Sequence, residues 1–211
     1  MRKFLRFLLW AAIIVGGVVG LLCAFAIRFA RIPDDLVLGA SVRPNLQGGD
    51  LVVLWRLTAP SFGDLVMCPQ PDDPEEFVVG RVLAEAGDTV EVKGDRVWVN
   101  GQRSETEMAC PEFVTVDPDT EAEIAQHCEV EVTGTHRHLI GQSAGSKKVP
   151  KPVRDELTDG EVYLVSDNRL YPYDSRDYGA VERDTCKETV IFRLVGPKGW
   201  GDADTRLTYI H

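Results

Sequence analysis

Gly39-Ala40-Ser41-Val42-Arg43-Pro44-Asn45-Leu46-Gln47-Gly48-Gly49-Asp50, followed by Leu51-Val52-Val53-Leu54, is the stretch whose reading decides the fold. A Gly-Asp pair supplies a left-handed backbone position and a side chain-to-backbone hydrogen bond, the two ingredients of a tight turn. The β-branched apolar run behind it reads as a buried strand. Ser41 then falls in irregular backbone just ahead of that strand, held by Pro44. A hydroxyl on rigid, non-helical chain beside a sheet suits a nucleophile. An ordinary turn serine has the same local surroundings.

Outward from this stretch the turn recurs. Gly63-Asp64-Leu65-Val66, Gly87-Asp88-Thr89-Val90 and the reversed Asp159-Gly160-Glu161-Val162 each launch another apolar run. Lys93-Gly94-Asp95-Arg96 reads as a hairpin turn between Val90-Glu91-Val92 and Val97-Trp98-Val99. From Leu36 to Gly101 no helical period of useful length occurs. Residues 102–158 differ: they are polar, with Glu121 to Gln126 reading as one or two helical turns, and they close in the basic connector Gly145 to Pro152. This region is expected to be an excursion from the β core. Strands return at Val162 to Val165 and Thr189 to Val195. Many short strands with glycine turns predict a mostly β, partly barrel-like fold with a β-rich insertion, preceded by one transmembrane helix.

Ahead of these strands lie 21 uncharged residues, Phe7 to Ile27. As a helix they would span about 30 Å of hydrocarbon. Ala24-Phe25-Ala26 imitates a signal-peptide cleavage site, but an apolar region of about 7–15 residues is usual for a cleaved segment, so an uncleaved anchor is favoured. Arg2, Lys3 and Arg6 against Arg28 and Arg31 place the amino end in the cytoplasm under the positive-inside rule. The expected division is 1–31 for the cytoplasmic tip and anchor and 32–211 for an extracytoplasmic domain, in the cytoplasmic (inner) membrane.

The net charge is −10, and without the five cations of residues 2–31 the rest carries 18 basic against 33 acidic residues. A phosphate backbone is repelled by such a surface, so nucleic acid is excluded as a partner. Contact with the lipid bilayer beyond the anchor would be apolar, through Trp55, Leu57, Phe62 or Trp200, which equally suit a core. With Cys23 in the apolar run, Cys68, Cys110, Cys128 and Cys186 allow three pairings. Cys110 and Cys128 flank one polar loop and are the disulfide candidate for an oxidising compartment. His127, His136 and His138 lie near, but no C-x-x-C or tight His/Cys spacing supports a metal, and no cofactor is expected.

Taken in order, these boxes, with Arg81-Val82, Val99-Asn100-Gly101, Ser166-Asp167-Asn168-Arg169 and Asp174-Ser175-Arg176-Asp177-Tyr178-Gly179, resemble the type I signal peptidases over about residues 36 to 197. The resemblance implies a membrane serine endopeptidase that cuts Ala-x-Ala-like sites with a Ser/Lys dyad. Ser41 matches the nucleophile, Gly39 and Ser41 the oxyanion region, and Arg81, Asp174 and Arg176 the supporting ion pairs. The family lysine directly precedes the arginine of Lys-Arg-Val, and here that position is Gly80. The family serine that hydrogen-bonds the lysine corresponds to Pro172. Loss of a general base costs about 10²–10⁴ in rate. Two readings follow. One is a homologue that binds signal peptides or other extended segments of exported proteins without efficient turnover, alone or beside a complete signal peptidase. The other is an active signal peptidase using Ser41 and a displaced base such as His136, His138 or Lys93; Lys147, Lys148 and Lys151 are expected to be solvated.

Overall fold

The computed structural model describes residues 2–144 and 152–210. Helix α1 covers Arg2–Ala26, followed by β1 (Ile27–Arg31), α2 (Leu36–Ser41), β2 (Leu51–Trp55), β3 (Leu65–Pro69), β4 (Phe77–Glu85) and β5 (Thr89–Lys93). Next come β6 (Arg96–Val99), β7 (Gln102–Arg103), β8 (Glu105–Val116), β9 (Glu123–Thr133), β10 (His136–Ser143), β11 (Val153–Glu156) and β12 (Glu161–Val165). The chain closes with α3 (Ser175–Tyr178), β13 (Val181–Glu182), β14 (Glu188–Val195) and β15 (Thr208–Tyr209). The main sheet runs β1-β2-β14-β3-β4-β12-β13, with β15 on β14. Two smaller sheets, β10-β9-β8 and β11-β5-β6-β7, complete a mostly β fold.

One turn device repeats. Gly49, Gly63 and Gly87 adopt φ of 81°, 89° and 86°. The aspartate that follows each one accepts from the main-chain N–H three residues before it: Asp50 from Gln47, Asp64 from Ser61, Asp88 from Glu85. Glu161 does the same for Thr158, behind Gly160 at φ 85°. Glycine has no Cβ to oppose this backbone, and the carboxylate satisfies a donor the turn would otherwise orphan. Strand starts are thereby fixed by the sequence itself.

Helix α1 includes Leu9–Ala26, the one stretch among the described residues long and apolar enough to cross a membrane. The helix gives way to β1 at Ile27, one residue before the expected end of the span, because Ile27 to Arg31 pair with Trp55 to Leu51. Glu121 to Gln126 is not helical. Asp117 accepts from the N–H groups of Asp119 and Thr120, the chain turns, and Glu123 onward pairs with β8. Cross-strand pairing overrides a short polar run with no apolar face to bury. Of the apolar residues proposed for a lipid surface, Leu57 and Trp200 are exposed, whereas Phe62 packs on a core cluster. The basic connector 145–151 lies outside the described residues. Two disulfides are present, Cys110–Cys128 within the β8–β9 pair and Cys68–Cys186, both ends of the latter buried.

Candidate functional site

Ser41 ends a helix; it does not stand in irregular backbone. Asp35 caps α2 by accepting from the Leu38 N–H at 2.9 Å, and the helix lasts only six residues. Such a helix is too short to show a period, so the capping aspartate was its one visible signal. Leu38 and Val42, on either side of Ser41, join a core cluster with Leu46 and Val79 of β4. Ser41 is fully buried, and its hydroxyl donates to the Leu38 carbonyl at 2.9 Å. Gly39 is half-buried, and a Cβ there would touch the Gly48 backbone nitrogen at 3.4 Å.

Gly80 sits in the middle of β4 opposite Val66 of β3. Side chains alternate along a strand, so position 80 shares a face with Val78 and Val82. That face packs with Val66, Leu164 and Cys68, and Tyr173 and Tyr178 lie against it. A Cβ at position 80 would stand 3.0 Å from the Leu164 Cβ. Pro172, next to Tyr173, is half-buried. The space on this face of β4 is apolar and closely filled.

Arg81, one residue on, faces the other way into a buried ionic cluster. Its guanidinium donates to both Asp167 carboxylate oxygens at 2.9 Å and to the Gly63 carbonyl at 2.7 Å. The Asp167 carboxylate also accepts from Asn45 at 2.6 Å. Behind it, Glu131 of β9 pairs with Arg169 at 2.5 Å, accepts from Ser104 at 2.8 Å and meets His138 of β10 at 3.1 Å. Burial would raise the Glu131 carboxyl, but Arg169 and the His138 hydrogen bond outweigh it and bring its pKa down to about 2. Burial likewise opposes the Asp167 carboxylate, and Arg81 outweighs it, so that carboxyl titrates below its ordinary value. Burial, then the nearby Arg81 charge, lower the His138 pKa, which keeps the imidazole neutral. Asp174 and Arg176 form a separate pair, with contacts of 2.8 and 2.6 Å, and Asp174 also accepts from the Ser166 N–H at 2.7 Å.

Two cavities flank α2. One of about 380 Å³ is lined by Asp35, Val37, Leu38, Glu76, Phe77 and Tyr173. The other, about 160 Å³, includes Gly39, Ala40, Arg43, Thr115 and Val116. Beside the larger cavity, β12 pairs with β4 only from Arg81 to Glu85, so Phe77 to Gly80 carry a ladder partner on the β3 side alone. Among the described residues no lysine or histidine hydrogen-bonds Ser41. His136 meets the ring of Phe62, His138 is held in the ionic cluster, and Lys93 lies over Trp98. No group of three or more His, Cys, Asp or Glu among the described residues could hold a metal.

The structure thus brings Ser41 and β4 onto one core, but sets Arg81 and Asp174 in different clusters. Two members of this region carry no signal of their role in the sequence, Gln126 and Asn168; the Cys68–Cys186 bond is one of the pairings the cysteine count left open. Asn168 is visible only as part of a motif, and nothing local marks its partners, Gln126 lying 42 residues away and Ala40 128. A model of the family described as signal peptidase, peptidase S26 matches residues 5–195. Signal peptidase I V of Bacillus subtilis strain 168 is 27% identical over 175 residues, covering 79% of this chain and 88% of that protein. Signal peptidase I T of the same organism is 26% identical over 196 residues, covering 90% and 86%. Signal peptidase I of Pseudomonas aeruginosa is 24% identical over 176 residues, covering 75% of this chain and 58% of its own length.

Proposed function

This chain belongs to the S26 signal peptidases, and from that premise we propose that it is a membrane-anchored member that holds signal-like peptides without efficient turnover. Gly80 occupies the position of the general base, and Pro172 that of the hydroxyl which orients it. The observation that carries the reading is the Ser41 hydroxyl itself: it is buried and committed to the Leu38 carbonyl, with no amine or imidazole among the described residues bonded to it to take its proton. A main-chain carbonyl is far too weak a base to generate an alkoxide. Arg81, Asp174 and Arg176 act as scaffold that keeps the surrounding backbone in place. The peptide adds as a strand to the β4 edge at Phe77–Gly80, with side chains entering the cavity between α2, Phe77 and Tyr173, the mode in which main-chain bonds give affinity and pockets give specificity. The amino end is cytoplasmic and the β domain, 32–211, extracytoplasmic, with 102–158 an insertion in it; two disulfides favour that oxidising side.

The test uses the full chain in detergent with an exported precursor carrying an Ala-x-Ala site. The unsubstituted protein is expected to bind the precursor's signal segment and leave it intact. Gly80→Lys combined with Pro172→Ser is expected to gain cleavage, because a lysine among Leu164, Tyr173 and Tyr178 would be desolvated and its pKa lowered. Cleavage by the unsubstituted chain that disappears in Ser41→Ala would overturn the reading in favour of an active peptidase with another base. The lysines outside the described residues, 147, 148 and 151, would then be the first to replace.

A further inference from the structure

The end of α2 is held from outside the main sheet. A helix leaves its last carbonyls without intrahelical partners; in α2 the Leu38 carbonyl is met by the Val42 N–H at 3.3 Å and the Ala40 carbonyl in part by the Arg43 N–H at 3.3 Å, while Asn168 reaches both Ala40 and Ser41. Its main-chain N–H donates to the Ser41 carbonyl at 2.9 Å, and its side-chain amide donates to the Ala40 carbonyl at 2.8 Å. The Asn168 amide is in turn locked. Its oxygen accepts from the N–H groups of Leu170 and Tyr171 at 3.0 and 3.2 Å. It also exchanges two hydrogen bonds of 2.9 Å with the Gln126 amide of β9. Thr115 of β8 donates to the Gln126 oxygen at 2.5 Å, which fixes the orientation of that amide as well. Asn168 and Gln126 are fully buried, and Thr115 nearly so. Strand β10 reinforces the contact: the Gly141 N–H donates to the Asp167 carbonyl, and its own carbonyl accepts from Arg169 at 2.8 Å. Phe113 packs over Gly141, where an added Cβ would lie 2.6 Å from the tip of its ring and would require that ring to shift.

We propose that Gln126, supported by Thr115, is a positioning residue for Ser41, so that the β8–β9 pair is a working part of the peptide site. It acts through Asn168: Gln126 presents the Asn168 amide to Ala40, Asn168 fixes the helix end, and the helix end fixes where Ser41 meets the bound peptide. The inference rests on the reading of Ser41 as the centre of that site. It assigns the polar region 102–158 a role that the strand pattern alone did not suggest. Neither amide can be lost quietly. A buried donor or acceptor left without its partner carries the full cost of desolvation.

The substitution that isolates the role is Gln126→Met, which keeps the length of the side chain and removes both hydrogen bonds to Asn168 together with the one from Thr115. Two readouts are taken on the full chain in detergent: amide hydrogen exchange in residues 38–43, and affinity for a synthetic signal peptide. A control, Val92→Ala, opens a cavity in the neighbouring four-stranded sheet, and comparison is made at matched Tm. Exchange in residues 38–43 is expected to quicken about tenfold in Gln126→Met while β2 and β14 stay protected, and peptide Kd to rise about tenfold; the control moves neither. If Gln126→Met fails to fold, Thr115→Val must show the same local change to a smaller degree. Unchanged exchange in residues 38–43, or a rise shared equally by β2 and β14, overturns the proposal. Should the unsubstituted chain bind no signal peptide, the functional reading falls while the exchange experiment still decides whether Gln126 positions Ser41.

Discussion

Arg81 and Gly80 are neighbours on β4, and their two faces obey different rules. The Arg81 face is ionic and fully buried, with each charge answered: Arg81 by Asp167, Arg169 by Glu131. The Gly80 face is apolar and closely packed against Leu164. A buried charge ties its partners together, because removing any one leaves another uncompensated in a dry interior. An apolar wall makes no such demand on a residue that contributes no side chain. On the reading proposed above, β4 has therefore kept what the fold needs at 81 and dispensed with what only chemistry needs at 80. That asymmetry is physical, and it can be broken from either side.

The largest effect is expected from the ionic face. Arg81→Ala should destabilise the protein by about 3–5 kcal/mol, since Asp167 would remain as an unpaired buried carboxylate. Denaturant unfolding followed by tryptophan fluorescence measures it. Arg81→Met with Asp167→Leu should recover part of the loss, because no charge of the pair is left unanswered, although the Gly63 carbonyl and one Asn45 N–H lose their partners. A loss below about 1 kcal/mol in Arg81→Ala would mean that water reaches the cluster, and the contrast between the faces would vanish.

Next in size is the response to acid. His138 has a lowered pKa in the fold, so below about 6.5 the unfolded chain takes up a proton that the folded chain refuses, and stability falls as pH falls. Glu131, Asp167 and Asp174 also titrate below their ordinary values. Their contribution is complete above about pH 5 and is lost further down; for Glu131 the loss ends near pH 2, where the folded state titrates. The unfolding midpoint should be flat at neutral pH, slope gently below 6.5, and drop steeply below 4.5. His138→Gln should erase the upper limb and leave the lower one. An upper limb that persists in that variant would place the titration elsewhere.

How much of this was legible beforehand depends on how local the cause is. Gly-Asp turns act within four residues, and so the strand starts at Leu51, Leu65 and Thr89 could be read from the chain. Ser41 and Gly80 stood out through their order along the sequence. The partner of Arg81 did not, since Asp167 lies 86 positions away and a motif names residues without pairing them. Helix α2 was hidden by its brevity, and the Gln126–Asn168 contact by the polar monotony of the region that carries it. Distance along the chain, more than chemistry, set what stayed unread.

The smallest effect should come from the apolar face. Gly80→Ala places a Cβ 3.0 Å from the Leu164 Cβ, the one side-chain atom that no rotamer change can move. Relief must come from the backbones of β4 and β12, whose register already shifts between Tyr163 and Leu164. Overpacking of this kind costs about 1–3 kcal/mol. Removing a glycine from the unfolded ensemble returns about 0.4–1 kcal/mol. A net loss of about 1 kcal/mol in the unfolding experiment is therefore expected. Zero loss or a gain would mean that β4 and β12 yield freely, and a lysine at 80 could be admitted without strain. A loss well above 3 kcal/mol would mean that the apolar wall leaves no room for a side chain at position 80, and a lysine placed there alone could not be accommodated.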